Sequence, residues 1–115
     1  MSPRSAGAAG LARAGPVFSA LGDETRLAVV ARLCAGGPQS TAHLTAGSGV
    51  TRQGITKHLT VLAGAGLVRD MRRGRERIWE LDTKRLDDAS RWLDQISKRW
   101  DDALDRLKKF VEEER

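Results

Sequence analysis

The apolar residues change period once, and the change falls inside the stretch from Val50 to Leu81. Ile55, Leu59 and Leu62, with Val50 ahead of them, keep the three-or-four spacing of one buried helix face. Thr51 is a good N-cap, so a helix is predicted to start there, and Gly64 and Gly66 stop it. Arg52, Gln53, Thr56, Lys57 and His58 fill the polar side of its first two turns. Leu67 and Val68 then open a short strand, Gly74 sits among arginines as a turn tip, and Ile78 to Leu81 returns as a second strand. A polar-faced helix followed by an arginine-tipped hairpin is the pattern of a winged helix-turn-helix.

The same reading extends in both directions. Residues 1–16 are rich in Ala and Gly without a period, and are expected as a flexible or weakly helical segment. Val17 to Leu21 is a short apolar helix. Asp23 caps the next, Glu24 to Ala35, with Leu27, Val30, Ala31, Leu33 and Cys34 expected inward. Ser40 or Thr41 caps a small helix holding Ala42, Leu44 and Ala46, and Gly47-Ser48-Gly49 turns into the polar-faced helix. After Asp82 one long helix runs to about Glu113. On it Leu86, Ala89, Leu93, Ile96, Trp100, Leu104, Leu107 and Val111 step by three or four, and Trp92 and Phe110 widen the stripe. The expected fold is mainly α with a small β-hairpin: residues 17–82 form the winged helix-turn-helix and 83–115 a C-terminal dimerisation helix.

Charge sharpens this picture. From Val50 to Arg77 there are seven basic side chains (Arg52, Lys57, Arg69, Arg72, Arg73, Arg75 and Arg77) against Asp70 and Glu76, a surplus equal to the net +5 of the whole chain. A positive field confined to one helix and one hairpin suits a phosphate backbone. The long helix carries more apolar surface than a small winged domain needs. That marks an interface with a second copy, through Trp92, Leu93, Ile96, Trp100, Leu104, Leu107 and Val111, with Phe18 of the N-terminal region adding to it.

Composition bounds the rest. The 115 residues leave room for one domain, 30% charged and 40% hydrophobic. There is no run long enough for a membrane span and no sustained apolar leader, so a cytoplasmic protein is expected. No nucleophile–base–acid set or phosphate-cradling glycine loop is present, so no enzymatic role and no cofactor are expected. The single Cys34 forms no intramolecular disulfide and builds no thiolate metal site by itself; on the apolar face of its helix it reads as a buried structural residue rather than a redox sensor. A winged helix that uses this face for protein contacts is the other alternative, and the arginine-tipped hairpin argues against it.

The segments FSALGDETRLAVVARL, TRQGITKHLTVLAGAGLV and RRGRERIWEL resemble the ArsR/SmtB family of bacterial transcriptional repressors, closely over Val17 to Leu81. The tail is similar to that of a metal-independent subgroup. The resemblance implies a winged-helix homodimer that binds a double-stranded operator and represses, with terminal helices at the dimer interface. Metal-sensing members carry a Cys-x-Cys pair before the turn, where this chain reads GPQSTAHLTAG, or acid–histidine pairs on the last helix, which here holds no histidine. No metal ligand set is therefore expected. His43 is expected at the surface or satisfied.

Roles in DNA binding follow from position. Thr51 and Arg52 lie where a helix N-terminus meets phosphate. Gln53, Thr56 and Lys57 are the base-reading candidates, and His58, which matches a family histidine, is a phosphate contact. Arg72, Arg73 and Arg75 on the wing enter or flank the minor groove. The operator, the regulated genes and any effector are not legible.

Overall fold

The computed structural model describes residues 3–114. Five helices and a three-stranded sheet follow one another as α1 (Pro3–Leu21), α2 (Glu24–Gly36), β1 (Gln39–Ser40), α3 (Thr41–Thr45), α4 (Arg52–Gly64), β2 (Val68–Arg73), β3 (Glu76–Leu81) and α5 (Thr83–Glu113). This is a mainly helical winged helix-turn-helix with a long C-terminal helix. The caps lie where side-chain chemistry puts them. Asp23, Ser40, Thr51 and Asp82 each accept a hydrogen bond from a backbone N–H in the first turn of α2, α3, α4 and α5.

The common core gathers residues from all five helices and from the wing. Val17 of α1, Val29 and Leu33 of α2, Leu44 of α3, Ile55, Leu59 and Leu62 of α4, Leu67, Val68 and Trp79 of the wing, and Ala89 of α5 are all buried. On α4 the three buried residues are the three that the period selects. On α2 the outcome differs from expectation: Leu27, Ala31 and Cys34 are exposed, Val30 is half-buried, and only Val29 and Leu33 are fully covered. This helix is apolar around most of its girth, so periodicity does not choose a face. The i,i+4 pair that meets the other elements is chosen by packing. Cys34 is thus a surface thiol and not a buried structural residue.

Two further differences have tertiary causes. The helix expected from Val17 is the end of a longer one that runs through Pro16. Proline there removes one backbone hydrogen bond, and burial of Ala14, Val17 and Ala20 on the inner face holds the helix together across it. Of the segment 1–16, residues 1 and 2 lie outside the described residues. The sheet has order β1-β3-β2, because Gln39 and Ser40 add a short antiparallel strand opposite Trp79 and Ile78. Two polar residues give no strand signal of their own; the exposed edge of β3 recruits them.

α1 packs along the first half of α5. The rings of Phe18 and Trp92 meet with centroids 5.7 Å apart and planes tilted by 52°. At Gly10 the two helices approach so closely that an added Cβ would stand 2.4 Å from Trp92 Cδ1. Beyond this seam α5 continues alone, and the molecule is drawn out to 69 × 31 × 20 Å.

The sign of a glycine substitution tests that seam. Gly15, in the same helix, has nothing within 4 Å of a built Cβ. Gly15→Ala should therefore stabilise the protein by roughly 1 kcal/mol through helix propensity. Gly10→Ala should destabilise it by about 1–3 kcal/mol through overpacking against Trp92. Urea unfolding measures both; a Gly10→Ala midpoint at or above wild type would mean that α1 does not seat on Trp92.

Candidate nucleic-acid interface

α4 begins with its side chains sorted. Thr51 Oγ1 accepts the Gly54 N–H at 3.0 Å, which fixes the first turn. Arg52, Gln53 and Lys57 are exposed, and Thr56 is half-buried with its hydroxyl donating to the Arg52 carbonyl at 2.9 Å. The approach to this helix is held from behind by Arg32. Its guanidinium donates to the carbonyls of His43, Leu44 and Ala46, at 2.9, 2.8 and 3.3 Å. These lie at the C-terminal end of α3, where the helix dipole favours a cation. Ser48 Oγ donates to the Thr45 carbonyl and accepts the Val50 N–H, which closes the turn between α3 and α4.

His58 is turned toward α2. Its Nδ1 lies 3.4 Å from Arg26 Nη1 and 3.7 Å from Asp23 Oδ2. Asp23 is held below the usual carboxylate range, first by the Arg26 backbone N–H that it accepts as N-cap.

The wing is built on a two-residue loop. Arg73 pairs with Glu76 across the strands, leaving Gly74 and Arg75 between them, and Gly74 takes φ 65°. A positive φ at the first loop position alone is the type II′ turn that matches strand twist, and it calls for glycine. The arginines of the hairpin divide into two groups. Arg69 Nε donates to Glu80 at 2.7 Å, and Arg77 Nε donates to Asp70 at 2.6 Å while its guanidinium lies 4.5 Å over the Trp79 ring. Arg72, Arg73 and Arg75 are exposed and make no ion pair among the described residues, and the same holds for Arg52 and Lys57. Local pairing thus uses two of the seven basic side chains and leaves five, which sit on the first turns of α4 and around the wing tip. The Arg77 hydrogen bond holds the Asp70 carboxyl below its ordinary range. This small, solvent-screened contribution is present at neutral pH and is lost as acid protonates Asp70.

Thr41 joins the wing to the helix-turn-helix. It is the one buried polar residue among the described residues, and its Oγ1 accepts the Trp79 indole N–H at 2.9 Å and donates to the Arg77 carbonyl at 3.4 Å. Sequence reasoning took Thr41 only as an alternative cap to Ser40 and Trp79 only as a strand residue, and it passed over Arg26 and Arg32. For Trp79 a signal existed, since a tryptophan in a half-buried strand needs a partner for its N–H. For the arginines none existed, because their acceptors are backbone carbonyls or a distant ring.

The apolar stripe of α5 is also divided. Phe18 and Trp92 are half-buried and fill this chain's own α1–α5 seam. Leu93, Ile96, Trp100, Leu104, Leu107, Phe110 and Val111 are exposed, Trp100 by 64%. His43 is on the surface, and among the described residues no three His, Cys, Asp or Glu side chains gather as a metal ion would need. No helix among them is long and apolar enough to cross a membrane.

Comparison with known proteins agrees with this arrangement. A helix-turn-helix domain family matches residues 21–70. An HTH-type transcriptional regulator of Mycobacterium tuberculosis, Rv2034, is 35% identical over 97 residues, which are 84% of this chain and 87% of that protein. An ArsR-like transcriptional regulator from Rhodococcus sp. RHA1 superposes with a TM-score of 0.75 at 35% identity, over 86% of this chain and 92% of that one. The homodimeric winged helix-turn-helix DNA-binding domain of a Mycobacterium bovis protein shares the fold, with a TM-score of 0.61 at 24% identity over 92% of this chain and 93% of that one.

The link between Thr41 and Trp79 can be removed without changing shape. Thr41→Val leaves a buried indole N–H without an acceptor and should cost about 1–3 kcal/mol. Chemical denaturation monitored by tryptophan emission reads this; an unchanged midpoint would show that the hydrogen bond does not hold the wing.

Proposed function

The chain belongs to the ArsR-like family of helix-turn-helix transcriptional regulators, and from that premise we propose that it is a cytoplasmic, metal-independent repressor. It acts as a homodimer on a roughly palindromic operator. The observation that carries the DNA-binding part is the set of five cations without an ion pair among the described residues, Arg52, Lys57, Arg72, Arg73 and Arg75. In this reading α4 enters the major groove. Gln53, Thr56 and Lys57 face base edges, and Thr51, Arg52 and His58 meet phosphates. Arg72, Arg73 and Arg75 bring the wing to the adjacent minor groove.

The dimer rests on the uncovered stripe. Each large apolar side chain left in water forgoes roughly 1.5–3 kcal/mol of burial, and seven of them line the free part of α5. Packing two copies about a two-fold axis removes that exposure. It also sets two α4 helices about 34–36 Å apart, one turn of DNA. The homodimeric state of the Mycobacterium bovis domain supports this reading.

Two measurements test the parts separately. Affinity for duplex DNA should fall steeply with salt. Replacing Arg73 and Arg75 together by Ala should weaken binding to all sequences alike and reduce the log–log salt slope by about two. Gln53→Ala should instead relax preference at one base pair, by about 1–3 kcal/mol. Salt-independent binding would overturn the phosphate-contact reading. For the dimer, light scattering at micromolar concentration should give twice the chain mass for wild type and a shift toward monomer for Trp100→Ala, with DNA affinity falling in parallel. A monomeric wild type with full operator affinity would refute the dimer.

A further inference from the structure

We propose that Arg26 is a positioning residue for DNA binding. It fixes the tautomer of His58, so that the other ring nitrogen, Nε2, carries the hydrogen and donates it to a DNA phosphate. This rests on the reading of α4 as the DNA-facing helix and adds to it a second residue, on another helix, that prepares the contact.

The argument begins with what Arg26 is bound to. Its backbone N–H donates to Asp23 Oδ2 at 3.0 Å, its Nε donates to the Ala20 carbonyl at the end of α1, and its Nη1 lies 3.4 Å from His58 Nδ1. The guanidinium is thus anchored to the last turn of α1 before it reaches the imidazole. Arginine has five N–H donors and no acceptor. A hydrogen bond between Nη1 and Nδ1 therefore has one direction only, with Nδ1 offering its lone pair. The rival arrangement places the hydrogen on Nδ1 and aims it at Asp23 Oδ2. That distance is 3.7 Å, too long for a hydrogen bond. A neutral imidazole has one N–H, and the bond made by one nitrogen decides which nitrogen bears it. With Nδ1 as acceptor, the hydrogen is on Nε2.

The other end of the ring is what remains to be used. The His58 side chain keeps 24% of its surface, and Nε2 has no partner among the described residues. It follows Lys57 on α4 and shares the helix with exposed Arg52 and Gln53. A neutral N–H at this place gives a phosphate oxygen a directed hydrogen bond but displaces no counterion. It therefore adds affinity and register without adding salt sensitivity, unlike the five exposed cations of α4 and the wing. Because Arg26 is held by Ala20 and Asp23, the donor is set relative to α1 and α2 before DNA arrives.

The test has a spectroscopic arm and a binding arm. Long-range proton–nitrogen NMR on labelled protein at alkaline pH reports the tautomer directly, with His43→Gln assigning the two rings. Wild type should show Nε2 protonated and Nδ1 bare, and Arg26→Met should show a mixture. An Nδ1–H tautomer in wild type overturns the proposal whatever the protein binds. In the binding arm, His58→Phe should weaken operator affinity about five-fold with the salt slope unchanged. Arg26→Met should lose a similar factor, and the double variant no more than either alone. Fully additive losses, or a slope that falls by about one with His58→Phe, overturn the proposal. If Arg26→Met does not fold, the wild-type tautomer and the His58→Phe slope still decide. Failure of wild type to bind duplex DNA at all would refute the underlying reading while leaving the tautomer result standing.

Discussion

The structure depends on a mismatch of lengths. α1 has 19 residues and α5 has 31, so at about 1.5 Å per residue one helix of roughly 28 Å lies against another of roughly 46 Å. The shared part is closed tightly, with Gly10 under Trp92 and Phe18 against the same ring. The unshared part carries Trp100, Leu104, Leu107, Phe110 and Val111 into solvent. Nothing else among the described residues is placed to cover them, and a second copy would present the same apolar face. The winged domain hangs from the closed end of this helix pair, so whatever joins two α5 helices also sets the distance between two α4 helices.

Within the winged domain, electrostatics are arranged by subtraction. The hairpin has more arginine than it exposes as free charge, because Arg69 and Arg77 are neutralised by Glu80 and Asp70. Those two pairs brace the strands, and Arg77 also lies over Trp79, whose indole N–H ends on Thr41 of α3. The tip arginines are left unpaired on a wing that is already fastened to the helix-turn-helix. A similar division holds on α4: His58 is drawn toward α2 by Arg26, while Arg52 and Lys57 stay free. The charges that hold the scaffold and those available to a polyanion are different residues.

Much of this was legible in the order of residues, and the exceptions share a cause. Caps and periods are local, so the caps Asp23 and Thr51, the buried face of α4 and the extent of α5 could be read directly. The two-residue loop at Gly74 is local too. α2 defeated the same method because Leu27, Val29, Val30, Ala31, Leu33 and Cys34 offer several apolar faces, and the core took only Val29 and Leu33 fully. β1 and the continuation of α1 through Pro16 depend on partners distant in sequence. In the candidate interface, a count of basic residues could not tell Arg77 from Arg75, since only the fold brings Asp70 beside one and leaves the other at the tip.

The central claim is that one continuous apolar stripe on α5 couples two DNA-reading heads. The most direct measurement is the stoichiometry of the specific complex, by native mass spectrometry on a duplex selected from a random pool. The account predicts two chains per duplex, with a selected sequence whose two halves are inverted copies one helical turn apart. A single chain bound per duplex at full affinity, on a sequence with no internal symmetry, would contradict it.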